Sequence, residues 1–298
     1  MLFLASFILK GPSQAALVAA SMAILGLIVP PAAWISAAAI VLITLVHGPQ
    51  RGILTTGFSL LGTALFAYLI FEAPQVAMAF VLLAWLPAWI AATILRQTVS
   101  LAYSLQVLTL MCLLAIVLIY MLYPNFGEFW REPLSQMVIQ LSQQTDDVTL
   151  AELKQAEDWI IEFMPGFFAT SIMFGTMLSL FIGRWWQSVF YNPGGFAEEF
   201  QGLRLGKASA LIAIALILIA VVVGKVFTFA LVTIVLVLYL TQGLSLLHAV
   251  IKIRKMHPLW LYVFYVITFF IPHLIVLMVF AGIMDAWLDI RQRVQQAS

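Results

Sequence analysis

Three polar side chains stand deep in the last two apolar stretches, where they have the greatest capacity for chemistry: Tyr239, Gln242 and His273. If Lys252 marks the membrane boundary, Tyr239 lies about 13 residues above it, and His273 lies about 15 residues past Pro258, so both stand at roughly 20 Å depth. An ionisable residue at that depth is a functional-site hypothesis. We therefore predict a small-solute site from these three residues. The structural alternative is a neutral His273 bonded to Tyr239 or to a backbone carbonyl.

The stretch 184–207 crowds charged, aromatic and turn residues into an otherwise apolar chain. Residues 192–195 form a strong turn signal, and Glu198, Glu199 and Arg204 follow on the polar face of a short amphipathic helix. This pattern is typical either of an aromatic anchor with an interfacial connector or of a docking surface for a partner protein. We treat those three charged residues as candidate docking residues.

A stripe of small residues marks the first apolar segment, where Ala15, Ala19 and Ala23 recur at a spacing of four. Small residues at this spacing let another helix approach closely. The stripe therefore predicts either packing inside the same bundle or a docking face for another subunit.

The elements that must position these residues are transmembrane helices. Of the 298 residues, 64% are hydrophobic and 9% are charged, with a mean hydropathy of +1.08. A soluble domain carries about 25% charged residues. We therefore predict an all-α, polytopic helical membrane protein whose surroundings are the lipid bilayer. The net charge of +1 argues against nucleic acid as a partner.

Signatures of catalysis and of cofactor binding are missing from the sequence. It contains no phosphate-binding loop, no zincin motif, no nucleophile elbow and no Cys/His set with zinc spacing. We expect no enzyme activity and no cofactor, and an intramembrane enzyme that uses His273 ranks last among the hypotheses.

The hydropathy pattern predicts about eight to nine transmembrane helices in a single integral-membrane domain, 1–298. The N-terminal helices occupy 1–122, a long hydrophilic connection occupies 123–162, and the C-terminal helices occupy 163–298. The first two segments are short, and re-entry of one of them is left open. The nine apolar segments are 13–29, 32–46, 50–71, 75–95, 98–122, 163–186, 206–224, 226–250 and 258–284.

The connection 123–162 is strongly acidic and predicts two amphipathic helices. Thr149 with Glu152 matches a capping box, Val148 with Leu153 matches a hydrophobic staple, and 165–166 marks the junction with the next span. The two helices are expected either to lie flat on lipid or to form a lid over a cavity. The acidic residues are Glu128, Glu132, Asp146, Asp147, Glu152, Glu157, Asp158 and Glu162.

The distribution of Lys and Arg predicts a cytoplasmic N-terminus, because nine basic residues then fall inside and five outside. One miscounted hairpin would move the C-terminus inside, and the tight link 224–225 is the suspect. The inside set is Lys10, Arg51, Arg96, Arg184, Arg204, Lys207, Lys252, Arg254 and Lys255, and the outside set is Arg131, Lys154, Lys225, Arg291 and Arg293.

A second stripe of small residues, Ser171, Gly175, Ser179 and Gly183, predicts a helix that packs tightly at the centre of the bundle.

Several short motifs together resemble a known family. An early proline pair, a helix that ends in His47-Gly48, and Asn192-Pro193 followed by Glu199-Phe200 are similar to the YybS-like bacterial multi-pass membrane proteins. More remotely, the alanine stripe followed by the 48–52 turn resembles the substrate-binding S components of energy-coupling-factor transporters.

These resemblances imply a location in the bacterial inner membrane. The second one also implies binding of a small solute from outside, with a membrane coupling subunit and a separate ATPase as partners. The competing hypothesis is a non-transporting scaffold or envelope assembly factor, with 184–207 and the acidic helices as protein-binding surfaces.

Overall fold

The computed structural model describes residues 2–142 and 147–296, and within these ranges the protein is built from helices without strands. This confirms the prediction of an all-α, multi-pass membrane architecture.

The first half of the chain forms closely connected helices. Proline occupies the first turn of α2, α3 and α4, where its missing N–H costs no intrahelical hydrogen bond and its fixed φ suits the helix. Gly48, with φ of 96°, makes the sharp turn between α3 and α4. The elements are α1 Leu2–Ile8, α2 Pro12–Gly26, α3 Pro30–His47, α4 Pro49–Phe71, α5 Val76–Phe80, a π-helical turn Val81–Trp85, α6 Leu86–Thr98 and α7 Leu101–Leu122.

The second half contains the longest helices and a hairpin of two short ones. Its elements are a 3₁₀ helix Phe126–Trp130, α8 Arg131–Ser142, α9 Asp147–Tyr191, α10 Gly195–Gln201, α11 Gly206–Val223, α12 Val226–Ile253, α13 Leu259–Phe270, α14 Leu274–Leu288 and α15 Ile290–Gln296.

Seven helices of the described ranges are long and apolar enough to cross a bilayer, and α2, α13 and α14 are apolar but shorter. The seven are Pro30–His47, Pro49–Phe71, Val76–Thr98, Leu101–Leu122, Ala151–Tyr191, Gly206–Val223 and Val226–Ile253.

The two ends of this bundle differ in charge. At one end, called the basic end here, Arg96 donates to Val46 O at 3.2 Å and Gln187 donates to Leu45 O at 3.4 Å. These contacts bring the C-terminal ends of α3, α6 and α9 together. The opposite end, called the acidic end, carries the 3₁₀ helix, α8 and the first part of α9.

The alanine stripe of α2 faces its own bundle. Ala15, Ala19 and Ala23 are fully buried inside the chain. Ser36 Oγ on α3 donates to Ala19 O at 2.6 Å and accepts from Trp85 Nε1 at 2.9 Å, which ties α2, α3 and the π-helical turn together. The structure therefore corrects the docking-face reading: these small residues serve the close packing of α2 on α3 and α4.

The second small-residue stripe forms the predicted close helix–helix contact at Gly175, Ser179 and Gly183, whereas Ser171 is exposed. A Cβ on Gly183 of α9 would lie 2.5 Å from Val41 Cγ1 and 3.1 Å from Ala38 O of α3, and one on Gly175 would lie 3.1 Å from Trp34 Nε1. Helix α9 is nevertheless not the most enclosed element. The buried share is 61% for the spanning windows of α3 and α12 and 44% for that of α9.

Helix α9 passes through the predicted junction at Pro165 without a break and runs for 45 residues. The second predicted outer helix is therefore the extension of a span, and it does not lie flat on lipid. Next to the proline, Gly166 allows α12 to approach, since a Cβ there would lie 2.8 Å from Ala230 Cβ. The predicted capping box at Thr149 and the staple at Val148 fall outside the part of the chain whose side chains the structure describes.

Residues 258–284, predicted as one span, form two short helices that break at Pro272 and His273. Proline cannot donate a backbone hydrogen bond, so a break at this position follows from the sequence. Helices α13 and α14 contain 12 and 15 residues. At ~1.5 Å per residue each is shorter than the ~30 Å of hydrocarbon.

Helices α13 and α14 form a hairpin whose first and last residues both lie at the basic end of the bundle. Helix α13 begins a few residues after α12 ends. Beyond α14, Arg291 donates to Leu203 O at 2.8 Å and to Ser245 Oγ at 3.0 Å, and it also bonds Gln201 O. Leu203 lies in the connector that follows α10, so the chain returns to the end from which it entered. The hairpin is re-entrant, whereas the suspected link at 224–225 is a true turn between α11 and α12.

The re-entrant hairpin sharpens the charge asymmetry, because it places Arg291 and Arg293 at the basic end. Eleven of the fourteen basic residues then lie at that end. The three at the acidic end are Arg131, Lys154 and Lys225.

The re-entrant topology predicts a labelling pattern in a Cys112→Ala background. Cysteines at the exposed positions Glu198 and Gln292 should react with a membrane-impermeant maleimide on one side of the membrane, and a cysteine at Glu152 should react on the other. If position 292 is instead labelled on the same side as position 152, residues 258–284 cross the membrane as one span and the hairpin is not re-entrant.

The α3–α9 contact predicts that Gly183→Leu destabilises the protein by about 2 kcal/mol or more, because the close approach leaves no room for a side chain. Gly57→Leu is the matched control, since a Cβ on Gly57 of α4 meets nothing within 4 Å. Thermal unfolding in mild detergent measures both. Equal midpoints for the two variants would contradict the assigned contact.

Candidate functional site

The three deep polar residues have different surroundings: Tyr239 and Gln242 are buried on α12, whereas His273 is exposed. Gln242 Nε2 donates to Gly282 O at 2.9 Å, and its Oε1 accepts from Leu205 N at 3.0 Å. Tyr239 is buried, and its hydroxyl has no hydrogen-bond partner within the described ranges. His273 lies exposed at the tip of the re-entrant hairpin. Gln242 therefore joins α12, α14 and the connector before α11, which is a structural task.

The docking residues predicted in 184–207 are mostly engaged within the chain. Glu199 accepts from Arg184 Nε at 3.0 Å, and Arg204 pairs with Asp289 at 2.8 Å. Glu198 is exposed. The stretch thus closes the basic end by internal ion pairs and leaves Glu198 on its surface.

A cleft of about 750 Å³ opens at the acidic end. The 3₁₀ helix and the outer part of α9 form its walls, and the end of α7 and the link between α11 and α12 form its base. Its volume lies within the ~300–1,000 Å³ of ordinary ligand sites. Among the residues that line it are Tyr120, Glu128, Arg131, Asp158, Trp159, Glu162, Lys225 and Phe227.

Arg131 holds the two walls of this cleft together. Its Nη2 donates to Glu128 Oε1 at 2.9 Å and its Nη1 donates to Asp158 Oδ1 at 3.0 Å, so the first turn of α8 is bonded to the outer part of α9. The hydrogen bonds from Arg131 lower the pKa of the Glu128 carboxyl, and the same carboxylates raise the pKa of the guanidinium. Deeper in the wall, Ser135 donates to the buried carboxylate of Glu157.

Aromatic rings form the apolar part of the cleft. Tyr120 of α7 and Phe227 of α12 meet edge to face at 5.0 Å between ring centroids. Trp159 stacks on Phe163 at 5.7 Å with an interplanar angle of 7°, on the outer part of α9. Gly127 permits the close approach of the 3₁₀ helix to the Ile161 carbonyl, which keeps the wall compact.

Three polar groups in the cleft are not used by the protein itself. Glu162 and Lys225 are exposed, and neither forms an ion pair within the described ranges. The hydroxyl of Tyr120 is shielded from solvent and has no hydrogen-bond partner there. A carboxylate, an ammonium group and a phenol beside aromatic rings can bind a small solute that has charged or polar groups on an apolar body.

The sequence indicated part of this cleft and missed the rest. The acidic helices were expected either on lipid or as a lid over a cavity, and in the structure the 3₁₀ helix and the outer part of α9 form the walls of a cleft. Tyr120, Lys225 and Phe227 were not singled out as lining residues, because they come from segments separated from 123–162 and from each other in sequence. No local sequence pattern indicates that the ends of these helices meet in the folded protein.

We predict that Arg131→Gln loosens the outer walls and lowers the thermal midpoint in detergent, whereas Lys154→Gln, at an exposed position of α9 outside the cleft, does not. Because the folded-state pKa of Glu128 is lowered, its stabilisation is present above the ordinary pKa of about 4.5 and is lost as the pH falls below it. The difference between wild type and Arg131→Gln should therefore shrink below about pH 4.5. A difference that stays constant through that range would argue against the Arg131–Glu128 pair.

No family model, curated protein or solved structure matches this chain. The resemblances to YybS-like proteins and to S components therefore stay predictions from sequence motifs.

Proposed function

We propose that this protein is a multi-pass bacterial inner-membrane protein that binds a small solute in the cleft at its acidic end. The observation that carries the proposal is the set of unused polar groups there, Glu162, Lys225 and the Tyr120 hydroxyl, beside an aromatic surface. The shielded Tyr120 hydroxyl is unpaired at a cost that a bound ligand would remove, and the exposed Glu162 and Lys225 are free to contact that ligand.

The charges of the cleft favour a zwitterionic or cationic solute. Glu162 offers a free carboxylate, and the exposed face of Trp159 can receive a cation. Lys225 can pair with a carboxylate on the same solute. The excess of basic residues at the opposite end favours a cytoplasmic position for that end, and the cleft would then open to the outside.

Transport would require an energising partner, namely a membrane coupling subunit with a separate ATPase. The alanine face of α2 is already covered by α3 and α4, so it supplies no docking surface for that subunit. The resemblance to S components therefore supports solute binding, and coupling would have to use another face.

The alternative function is a membrane scaffold or envelope assembly factor. It is favoured by the continuous outer extension of α9, which presents exposed acidic side chains on a helix anchored in the membrane. Exposed Glu198 at the basic end fits the same reading. In that case the acidic end would bind a basic protein surface, and small solutes would leave the stability of the protein unchanged.

The test is a thermal-shift screen of the purified protein in mild detergent against amino acids, small amines and small carboxylates. We expect zwitterions or amines to raise the unfolding temperature. Glu162→Gln and Lys225→Gln should each weaken the apparent affinity about tenfold or more, as expected for loss of a charge-assisted contact. Glu152→Gln, an exposed acid of α9 outside the cleft, should keep wild-type affinity. If no solute shifts the unfolding temperature, or if all three variants respond alike, the binding function is rejected.

A further inference from the structure

A second, chemically different concavity lies within the membrane part of the bundle. It is a crevice of about 200 Å³ between the first turns of α3, the middle of α9 and the π-helical turn Val81–Trp85. Trp34, Leu83, Ala84, Phe168, Gly175 and Thr176 are among its lining residues, and the lining carries no charge. At ~30 Å³ per small group it has room for roughly seven non-hydrogen atoms.

Thr176 lines this crevice with a buried hydroxyl that has no partner among the described residues, so it could hydrogen-bond to a ligand. Its side chain is 2% exposed, and its hydroxyl has no hydrogen-bond partner within the described ranges. Several other buried hydroxyls in the spanning helices donate to the carbonyl four residues earlier, as Thr44, Thr109 and Ser179 do. A hydroxyl buried in an apolar crevice without a partner costs free energy.

Trp34 supplies a second unused donor beside Thr176. Its indole Nε1 lies close to Gly175, where a Cβ would be 3.1 Å away, and it donates no hydrogen bond to any described residue. The ring of Trp34 is held edge to face against Phe174, at 6.1 Å between centroids. Two donors at one wall, without a charge, match a neutral ligand that presents an acceptor oxygen.

The opposite wall of the crevice is the π-helical turn, which is held by a hydrogen bond to α3. A π-helical turn widens the backbone and is often found at functional sites. Here Trp85 fixes that turn by its hydrogen bond to Ser36 of α3, and Ala84 keeps the crevice open. Leu83 and Ser171 at the mouth are exposed on helices that cross the bilayer, so the crevice opens sideways toward lipid.

We propose that this crevice binds the acyl-ester portion of a membrane lipid, with the ester carbonyl accepting hydrogen bonds from the Thr176 hydroxyl and the Trp34 indole N–H. The bilayer supplies this group at high local concentration, and the lateral mouth admits it without opening the bundle. The uncharged lining leaves the lipid headgroup outside. This site is separate from the solute cleft, whose lining is charged.

The experiment compares an ester-linked phospholipid with its ether-linked analogue of identical chains and headgroup, which lacks the carbonyl. After delipidation in detergent, each lipid is titrated and binding is followed by native mass spectrometry and thermal shift. Wild type should bind the ester lipid about threefold to tenfold more tightly, the range expected for one or two net hydrogen bonds. Equal affinity for the two lipids would overturn the proposal.

Two substitutions assign the preference to the crevice. Thr176→Val keeps the shape of the side chain and removes the hydroxyl, so it should reduce the ester preference and leave the lipid-free protein as stable as wild type or more so. Trp34→Phe should reduce the preference. Thr63→Val is the matched control, because Thr63 is also buried with an unpartnered hydroxyl but lies on α4, outside the crevice lining. If Thr63→Val and Thr176→Val have the same effect, or if a co-purifying helix and no lipid occupies the crevice, the assignment is rejected.

Discussion

The close approach of α3 and α9 is the contact on which the other elements depend. Gly183 brings the backbone of α9 against Ala38 and Val41, and dispersion between such closely packed backbones is a main source of helix association within lipid. Because α9 is continuous, this one contact also fixes Arg184 at the basic end and the outer wall of the cleft at the acidic end. A shift of α9 along α3 would move both ends together.

A second constraint is that backbone groups must find partners where water is scarce. The connector after α10 carries carbonyls and an N–H that no helix satisfies, and side chains from distant elements bond them: Arg291 to Leu203, and Gln242 and Gln106 to Leu205. Burial lowers the pKa of the Arg291 guanidinium, and Asp285 opposes this effect. Arg291 can reach this connector because the chain returns to the basic end after α14.

The sequence predicted features that depend on local residue patterns, such as the helical membrane class. It could not predict features that depend on which helix faces pack together. Hydropathy predicted the all-α membrane class. Residues 258–284 were predicted as one span although Pro272 is compatible with a break there, and only the tertiary contacts of Arg291 show that the chain turns back. Pro165 predicted a junction that the packed helix does not have. The spacing of Ala15, Ala19 and Ala23 fits internal packing and partner docking equally well, because the same small side chains serve both.

The two ends of the molecule use their polar groups differently, and the two proposed sites follow from that difference. At the basic end ion pairs and backbone bonds engage most charged side chains of the connector, whereas the acidic end leaves Glu162 and Lys225 open. Phe168 links the cleft to the lipid-facing crevice: it lines the crevice and contacts Trp130 of the 3₁₀ helix at 5.6 Å between ring centroids. Glu128 on that same 3₁₀ helix lines the cleft, so this helix borders the charged site and also packs on a side chain of α9 that lines the uncharged one.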